Sequence, residues 1–227
     1  MKKTFVISLG GSLVAPADGI NWKFIKELKS LLLVELKKGS RFFLIVGGGN
    51  VCRRYQEAAK KIGRVGKAEL DWLGIYSTYL NAQLVRVALC EHAYECIIMD
   101  INKKIKTDKQ IIMAGGWKPG RSTDYVATAI AKIYGAKTLL NLSNIDYVYD
   151  RDPTKYSNAV KFEKLKWPQM FKIVGNKWDP GLNAPFDPVA SRLAAKTGLR
   201  VVIMNGQNIN EVRNFFAGKK FKGTVIE

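Results

Sequence analysis

Residues 41–55, RFFLIVGGGNVCRRY, carry the reading of the fold. Phe42 to Val46 is apolar on both alternating faces, which suits a strand buried on both sides of a parallel sheet. It runs directly into Gly47, Gly48 and Gly49, whose backbone can take angles that side chains forbid and lets a charged ligand approach the main chain. Asn50 then opens a helix-like segment to Ile62, stopped by Gly63, and the free N–H groups of such a start favour an anion. The stretch by itself fits a phosphate-binding turn and a ligand-free glycine-rich connection equally well.

Outward from this strand, apolar runs and helical periodicities alternate along the whole chain. Thr4 to Leu9 reads as a strand ending at Gly10-Gly11-Ser12. From Asn21, a good N-cap, Phe24, Ile25, Leu28, Leu31, Leu32 and Leu36 recur at helical spacing up to Gly39. A long helix is predicted over residues 69–92, with Asp71, Gly74 and Thr78 or Asn81 forming a polar face. Strands follow at 95–100 and 110–114, the second ending at Gly115-Gly116. Ser122-Thr123-Asp124 is a capping cluster for a helix to Tyr134. Residues 137–142 form a strand leading into Ser143-Asn144. A short strand near Phe162, a helix at 168–174 and a surface loop at 175–185 come next. Asp187-Pro188 then starts another helix, and strand, helix and strand at 200–204, 209–216 and 224–226 close the chain.

This alternation predicts an α/β fold, a three-layer αβα sandwich around a mainly parallel sheet, in one domain spanning residues 1–227. Ligands of such sheets bind at the carboxyl ends of the strands. Four small-residue turns follow predicted strands and should therefore share one edge. With Arg53, Arg54, Lys118 and Arg121 close by, that edge suits a ligand carrying several phosphates. No G-x-x-x-x-G-K-[ST] or G-x-G-x-x-G stretch is present, so a P-loop and a dinucleotide fingerprint are excluded.

The charge balance is unusual, with 37 Lys and Arg against 19 Asp and Glu, a formal net charge of +18. Such a chain attracts polyanions. The lysines are dispersed, however, and no RNP pattern, helix-turn-helix or zinc-finger spacing occurs, which disfavours nucleic acid as the principal partner. Cys52, Cys90 and Cys96 are too few and too far apart for a metal site or a disulfide framework, as expected of reduced thiols in a cytoplasmic protein. The amino-terminal apolar run is too short for a signal peptide, and no stretch approaches a membrane span.

The collinear order GGS, VGGGNVCRRY, LDWLGIYSTYLNAQLV, GGWKPGRSTD, NLSNIDYVYDRDP and FDPVASRLAAKTGLRVVIMN resembles the amino acid kinase superfamily. Within it, the chain is similar to uridylate kinases of the archaeal type, over nearly its whole length. The resemblance implies transfer of the γ-phosphoryl group of ATP to UMP with Mg2+, in a protein that usually assembles as a hexamer. It also implies that Ser8, Leu9, Gly10, Gly11, Ser12, Gly49, Arg53, Ser143, Tyr149 and Asp152 bind ATP. Gly48, Asp71 and the segment Trp117, Lys118, Pro119, Gly120, Arg121, Ser122 and Thr123 would hold UMP. Arg53, Asp124 and Asp187 would serve catalysis, the two aspartates by organising cations, with no metal site built by the protein alone.

These implied roles make physical sense. A ribose diol suits a carboxylate at Asp71, and an anionic acceptor suits arginine forks. The acceptor is a phosphate monoester with a second pKa of about 6, so it is already a nucleophile at neutral pH. No general base is required, and the single histidine, His92, is expected to be structural or exposed. The chain departs from the superfamily at Ser8 and Asn50, where lysine is common, at Tyr147 for glycine, and at Arg192 for lysine. Isopentenyl phosphate kinases, which resemble this family, place a histidine just after the glycine turn, where this chain reads Asn50-Val51-Cys52. A non-catalytic nucleotide- or RNA-binding regulator is the alternative outside catalysis.

Overall fold

The computed structural model describes residues 3–175 and 184–227. Its elements, in order, are β1 (Thr4–Leu9), α1 (Gly11–Val14), α2 (Trp22–Lys37), β2 (Arg41–Val46), α3 (Gly49–Ile62) and α4 (Lys67–Leu89). Then come β3 (Ala93–Ile98), β4 (Ile111–Ala114), α5 (Thr123–Tyr134), β5 (Thr138–Ser143), β6 (Val148–Tyr149) and β7 (Lys161–Phe162). The remainder is β8 (Lys164–Leu165), α6 (Trp167–Val174), α7 (Pro188–Lys196), β9 (Arg200–Asn205), α8 (Ile209–Phe216) and β10 (Thr224–Ile226).

Eight strands form one sheet in the order β3-β4-β2-β1-β5-β9-β10-β8, and β6 pairs with β7 separately. Every pairing in the large sheet is parallel except β9 with β10. β2 is an interior strand buried on both faces, as its unbroken apolar run predicts. Phe43 and Ile45 enter one core with residues of α5, α6 and α7. Phe42, Leu44 and Val46 enter the other, with residues of α2, α4 and α8. The period of two along one strand thus glues two helical layers to one sheet.

Local chemistry fixes the helix ends. Asn21 Oδ1 accepts from Phe24 N at 3.1 Å, Ser122 Oγ from Tyr125 N at 3.1 Å, and Asp187 Oδ1 from Ala190 N at 2.6 Å. Gly135, after α5, takes a left-handed conformation with φ 69°, which suits a residue without Cβ.

The structure differs from the sequence expectation in three places. Gly11 opens the short helix α1 where only a turn is predicted, because four residues give no periodic signal. α4 runs from Lys67 to Leu89 and stops at Cys90, whose φ of 44° breaks the helix ahead of β3, which starts at Ala93. β6 and β8 are two residues each, too short for an alternation to show. Of the loop predicted at 175–185, residues 176–183 lie outside the described residues.

Candidate functional site

Because β1, β2, β4 and β5 are parallel, the turns after them meet at one edge of the sheet. Gly10 N donates to Leu142 O at 2.8 Å and Gly47 N to Leu9 O at 2.9 Å, which ties three of these strand ends together. The first two glycine turns touch backbone to backbone. A Cβ on Gly11 would lie 2.1 Å from Gly49 N, and Gly49 itself has φ 60° and would place a Cβ 2.4 Å from Gly11 O. Glycine is required at both positions, for close approach at the first and for approach and backbone angle at the second. Asn81, buried on α4, holds the same turn through Nδ2, which donates to Gly47 O at 2.9 Å and to Gly48 O at 3.0 Å.

Two adjoining cavities open on this edge. One, of about 440 Å³, is lined by Ser8, Gly10, Gly11, Gly47, Asp124, Asn141, Ser143 and the 144–153 segment with Tyr147, Tyr149, Arg151 and Asp152. The other, of about 950 Å³, is lined by Gly48, Gly49, Cys52, Arg53, Asp71, Gly74, Thr78, Lys118, Arg121 and Ser122, with Gln56, Lys60 and Lys67 at its far end. Thr123 lines both, and the triple-glycine turn is the wall between them.

At the floor of the smaller cavity stands Asp124. Its Oδ1 accepts from Ser8 Oγ and from Asn141 Nδ2, each at 2.8 Å, and its Oδ2 accepts from Asp187 N at 3.3 Å. Burial raises the carboxyl pKa to about 6, and the nearby Asp187 charge adds to the rise; the three hydrogen bonds oppose it. Ser143 Oγ is buried without a partner among the described residues. Asp152 is held below the usual carboxylate range by the hydroxyl and N–H of Thr154. Among the described residues no three His, Cys, Asp or Glu side chains gather into a metal-binding group.

In the larger cavity, Asp71 lies on the polar face of α4, and its Oδ2 accepts from Gly120 N at 2.8 Å, which ties the 117–121 loop across the cavity. Gly116 N donates to Thr78 Oγ1 at 2.7 Å and Tyr79 OH donates to Gly116 O at 2.9 Å. Lys118 and Arg121 are spread over aromatic rings, Lys118 Nζ 4.2 Å from the Trp117 ring centre and Arg121 Cζ 4.7 Å from that of Tyr125. Cys52 is pushed above the ordinary thiol range by burial, with Arg53 pulling the other way.

A profile of the amino acid kinase family matches residues 3–205. The chain belongs to the amino acid kinase family. Among curated members of that family, it is 33% identical over 226 residues to a uridylate kinase of Methanocorpusculum labreanum, covering 97% of this chain and 94% of the relative. It is 32% identical to a uridylate kinase of Pyrococcus abyssi, covering 98% of both. The solved uridylate kinase of Archaeoglobus fulgidus superposes with a TM-score of 0.80 at 27% identity over the whole of both chains. The UMP kinase of Ureaplasma parvum, at 21% identity and a TM-score of 0.78, shares the amino acid kinase fold.

The structure distributes the sequence-derived residues between the cavities. Ser8, Gly10, Gly11, Ser143, Tyr149 and Asp152 line the smaller one, and Gly48, Asp71, Lys118, Arg121, Ser122 and Thr123 the larger. Gly49 and Arg53, assigned to the ATP side from sequence, line the larger cavity. Leu9 is 1% exposed and its side chain belongs to the core; Ser12 lies within α1 and lines neither cavity. Trp117, Pro119 and Gly120 form the loop behind Lys118 rather than lining, with Trp117 packed on the core. Asp187 is buried behind Asp124, and Arg192 lines neither cavity. Sequence reading missed Asn141 and Arg151. Asn141 hides inside an apolar strand, where an interior polar residue is the one available signal; Arg151 sits in a charged loop that offers none.

Proposed function

We propose that the chain is a uridylate kinase, one amino acid kinase domain that transfers the γ-phosphoryl group of ATP to UMP and yields ADP and UDP. The observation that carries this reading is the pair of cavities meeting at the Gly47–Gly49 wall. The smaller takes ATP, with its phosphates over Gly10 and Gly11. The larger takes UMP, with the ribose on Asp71 and the phosphate toward Arg53 and Arg121. The two phosphates meet beside Thr123 and the start of α3, which has no side-chain cap, so its dipole and amides favour their charge.

The chemistry is positioning and charge neutralisation. An oxygen of the UMP phosphate attacks the γ-phosphorus while the bond from that phosphorus to the β,γ-bridging oxygen breaks, and ADP keeps the electron pair. Arg53 draws charge from the acceptor side. A Mg2+ ion travelling with ATP fits the donor side, because Mg2+ is held by one or two carboxylates together with phosphate oxygens. Asp124 is the carboxylate facing that space, with Asp187 behind it, and a cation beside it would offset the cost that burial places on its charge. Asp124 and Asp187 would hold such an ion, which would neutralise phosphate charge; Ser8 and Asn141 fix the orientation of the Asp124 carboxylate.

Assembly follows from α4. Trp72, Tyr76, Leu80 and Leu84 recur every fourth residue on its outer face and are 39%, 66%, 63% and 37% exposed. An apolar stripe of this kind marks a contact between copies, consistent with a homo-oligomer, the hexamer being the expected form. No described helix is long and apolar enough to cross a membrane, and the reading places the enzyme in the cytoplasm with Cys52, Cys90 and Cys96 free.

The test is coupled ADP release with UMP, CMP, AMP, isopentenyl phosphate and no acceptor. UMP-dependent turnover above all others is expected. A folded, ATP-binding protein that is silent with every acceptor would replace this reading with the non-catalytic regulator.

A further inference from the structure

Most of the +18 charge lies outside the two cavities, and the fold concentrates part of it at the opposite end of the sheet. Three helix-to-strand connections there share one pattern. Lys38-Gly39-Ser40-Arg41 joins α2 to β2, Gly135-Ala136-Lys137 joins α5 to β5, and Gly198-Leu199-Arg200 joins α7 to β9. Each has a lysine in the last helical turn, at Lys37, Lys132 and Lys196. Each turns on a glycine with positive φ, 85° at Gly39, 69° at Gly135 and 61° at Gly198. Two residues after that glycine stands an arginine or lysine.

Lysines at helix ends are explained by the helix dipole, but cations at strand starts are not. The register aligns those cations: Thr4 pairs with Arg41, Phe5 with Thr138, and Thr138 with Arg200. Arg41, Lys3, Lys137 and Arg200 therefore stand within one residue of a common row on four neighbouring strands, β2-β1-β5-β9. Arg41 turns inward, its Nη2 donating to Thr107 O at 3.3 Å and its Nε buried, so the outward cations are those of β1, β5 and β9, a row of roughly 10 Å at the usual spacing between strands. Lys3, Lys137 and Arg200 are exposed, as are Lys132 and Lys196 just behind them. Two charges near the row are partly offset, Lys38 by Glu35 at 2.6 Å and Arg200 by Glu227 at 3.9 Å.

From this juxtaposition we infer that the amino-terminal edge of the sheet is a docking ridge for the backbone of single-stranded nucleic acid. A linear series of cations suits a polymer of phosphodiesters. The exposed large apolar side chains toward this edge, Val34 in the last turn of α2 and Val87 in the last turn of α4, are isolated valines and too little to anchor a lipid surface. Among the described residues it also shows no exposed aromatic platform for stacking bases, and binding is therefore to phosphates and independent of sequence. The ridge is at the far end of the strands from both cavities, and its occupancy does not depend on the kinase reading.

The experiment is fluorescence anisotropy of a dye-labelled oligoadenylate titrated with the full chain over a series of salt concentrations. It compares wild type, the double variant Lys3→Glu with Lys137→Glu, and a control with the same charge change, Lys26→Glu with Lys61→Glu. Binding that weakens about tenfold or more in the ridge variant is expected, with the salt slope reduced by about 1.4, the loss of two phosphate contacts on a single strand. The control should keep near wild-type affinity, and saturating ATP with UMP should leave binding unchanged. Four results would each overturn the inference: no binding at low salt, equal loss in the control, displacement by the nucleotides, or a preference for anionic lipid vesicles. Turnover assays of the same variants report separately on the kinase site.

Discussion

The Ser8 hydroxyl donates a 2.8 Å hydrogen bond to Asp124 Oδ1 across 116 residues of chain. At the end of β1 the chain thus presents a neutral donor to a half-buried acid. Asp124 is restrained by hydrogen bonds from Ser8 and Asn141, neither of which carries a charge.

The raised pKa gives a pH signature. Asp124 moves from an ordinary carboxylate value to about 6 on folding, so its contribution to stability is fully present below the unfolded value and is lost as pH rises through about 6. Asp124→Asn removes that cost. The nucleotide-free variant should therefore gain stability relative to wild type more at pH 8 than at pH 5, by roughly 1.4 kcal/mol, while turnover falls by at least ~100-fold. Urea unfolding at the two pH values measures the first effect; an equal offset at both would rule out a titrating Asp124.

Ser8→Ala removes a hydrogen bond that lowers the Asp124 pKa. The acid limb of kcat/KM for ATP should move to higher pH, and activity near neutrality should fall roughly tenfold, the scale of a lost hydrogen bond to a charged group. The limb for UMP is set largely by the substrate's own phosphate and should move less. An unchanged ATP profile would mean that the pair is only structural.

Arg53→Ala should lower kcat/KM for UMP by about 100-fold or more, since a guanidinium on a phosphate is a strong, charge-assisted contact, with little change in unfolding free energy at this exposed position. Lysine should restore only part, lacking the planar fork. A loss confined to KM for ATP would reassign Arg53 to the donor.

Gly11→Ala places a methyl group 2.1 Å from Gly49 N and 2.5 Å from Gly47 C. Both are backbone atoms that cannot rotate away, so the variant should lose several kcal/mol of stability or fail to fold. Gly63→Ala, where the added atom meets open space, is the matched control. Comparable midpoints for the two would contradict the back-to-back packing of the turns.

Leu80→Glu on the outer face of α4 should shift the sedimentation coefficient to a smaller species without unfolding the chain. Unaltered assembly would remove α4 from the subunit contact.

Much of the fold was legible because its signals are local. The apolar run of β2, the caps Asn21, Ser122 and Asp187, and the helical periodicities each act within a few residues, and each is found in the structure. The meeting of the glycine turns was also legible, since parallel strands must put their ends on one edge. The polar face of α4 told as much: Asp71, Gly74 and Thr78 line the larger cavity. Helix α1 and the two-residue strands were not legible, because elements that short carry no period.

By itself, the sequence determined the layer architecture, the edge that carries the site and the residue types gathered there. Only the tertiary structure decided the division of that edge into two cavities, the placement of Arg53 with the larger one, and the Ser8–Asp124–Asn141 cluster. The same is true of the cationic row from Arg41 to Arg200, whose members are scattered in the chain and adjacent only in the sheet. The reason is physical: periodicity and capping are short-range preferences. A carboxylate's pKa, a glycine's forced contact and a row of charges depend instead on distances between segments up to more than a hundred residues apart, and those are fixed only when strand order and register are.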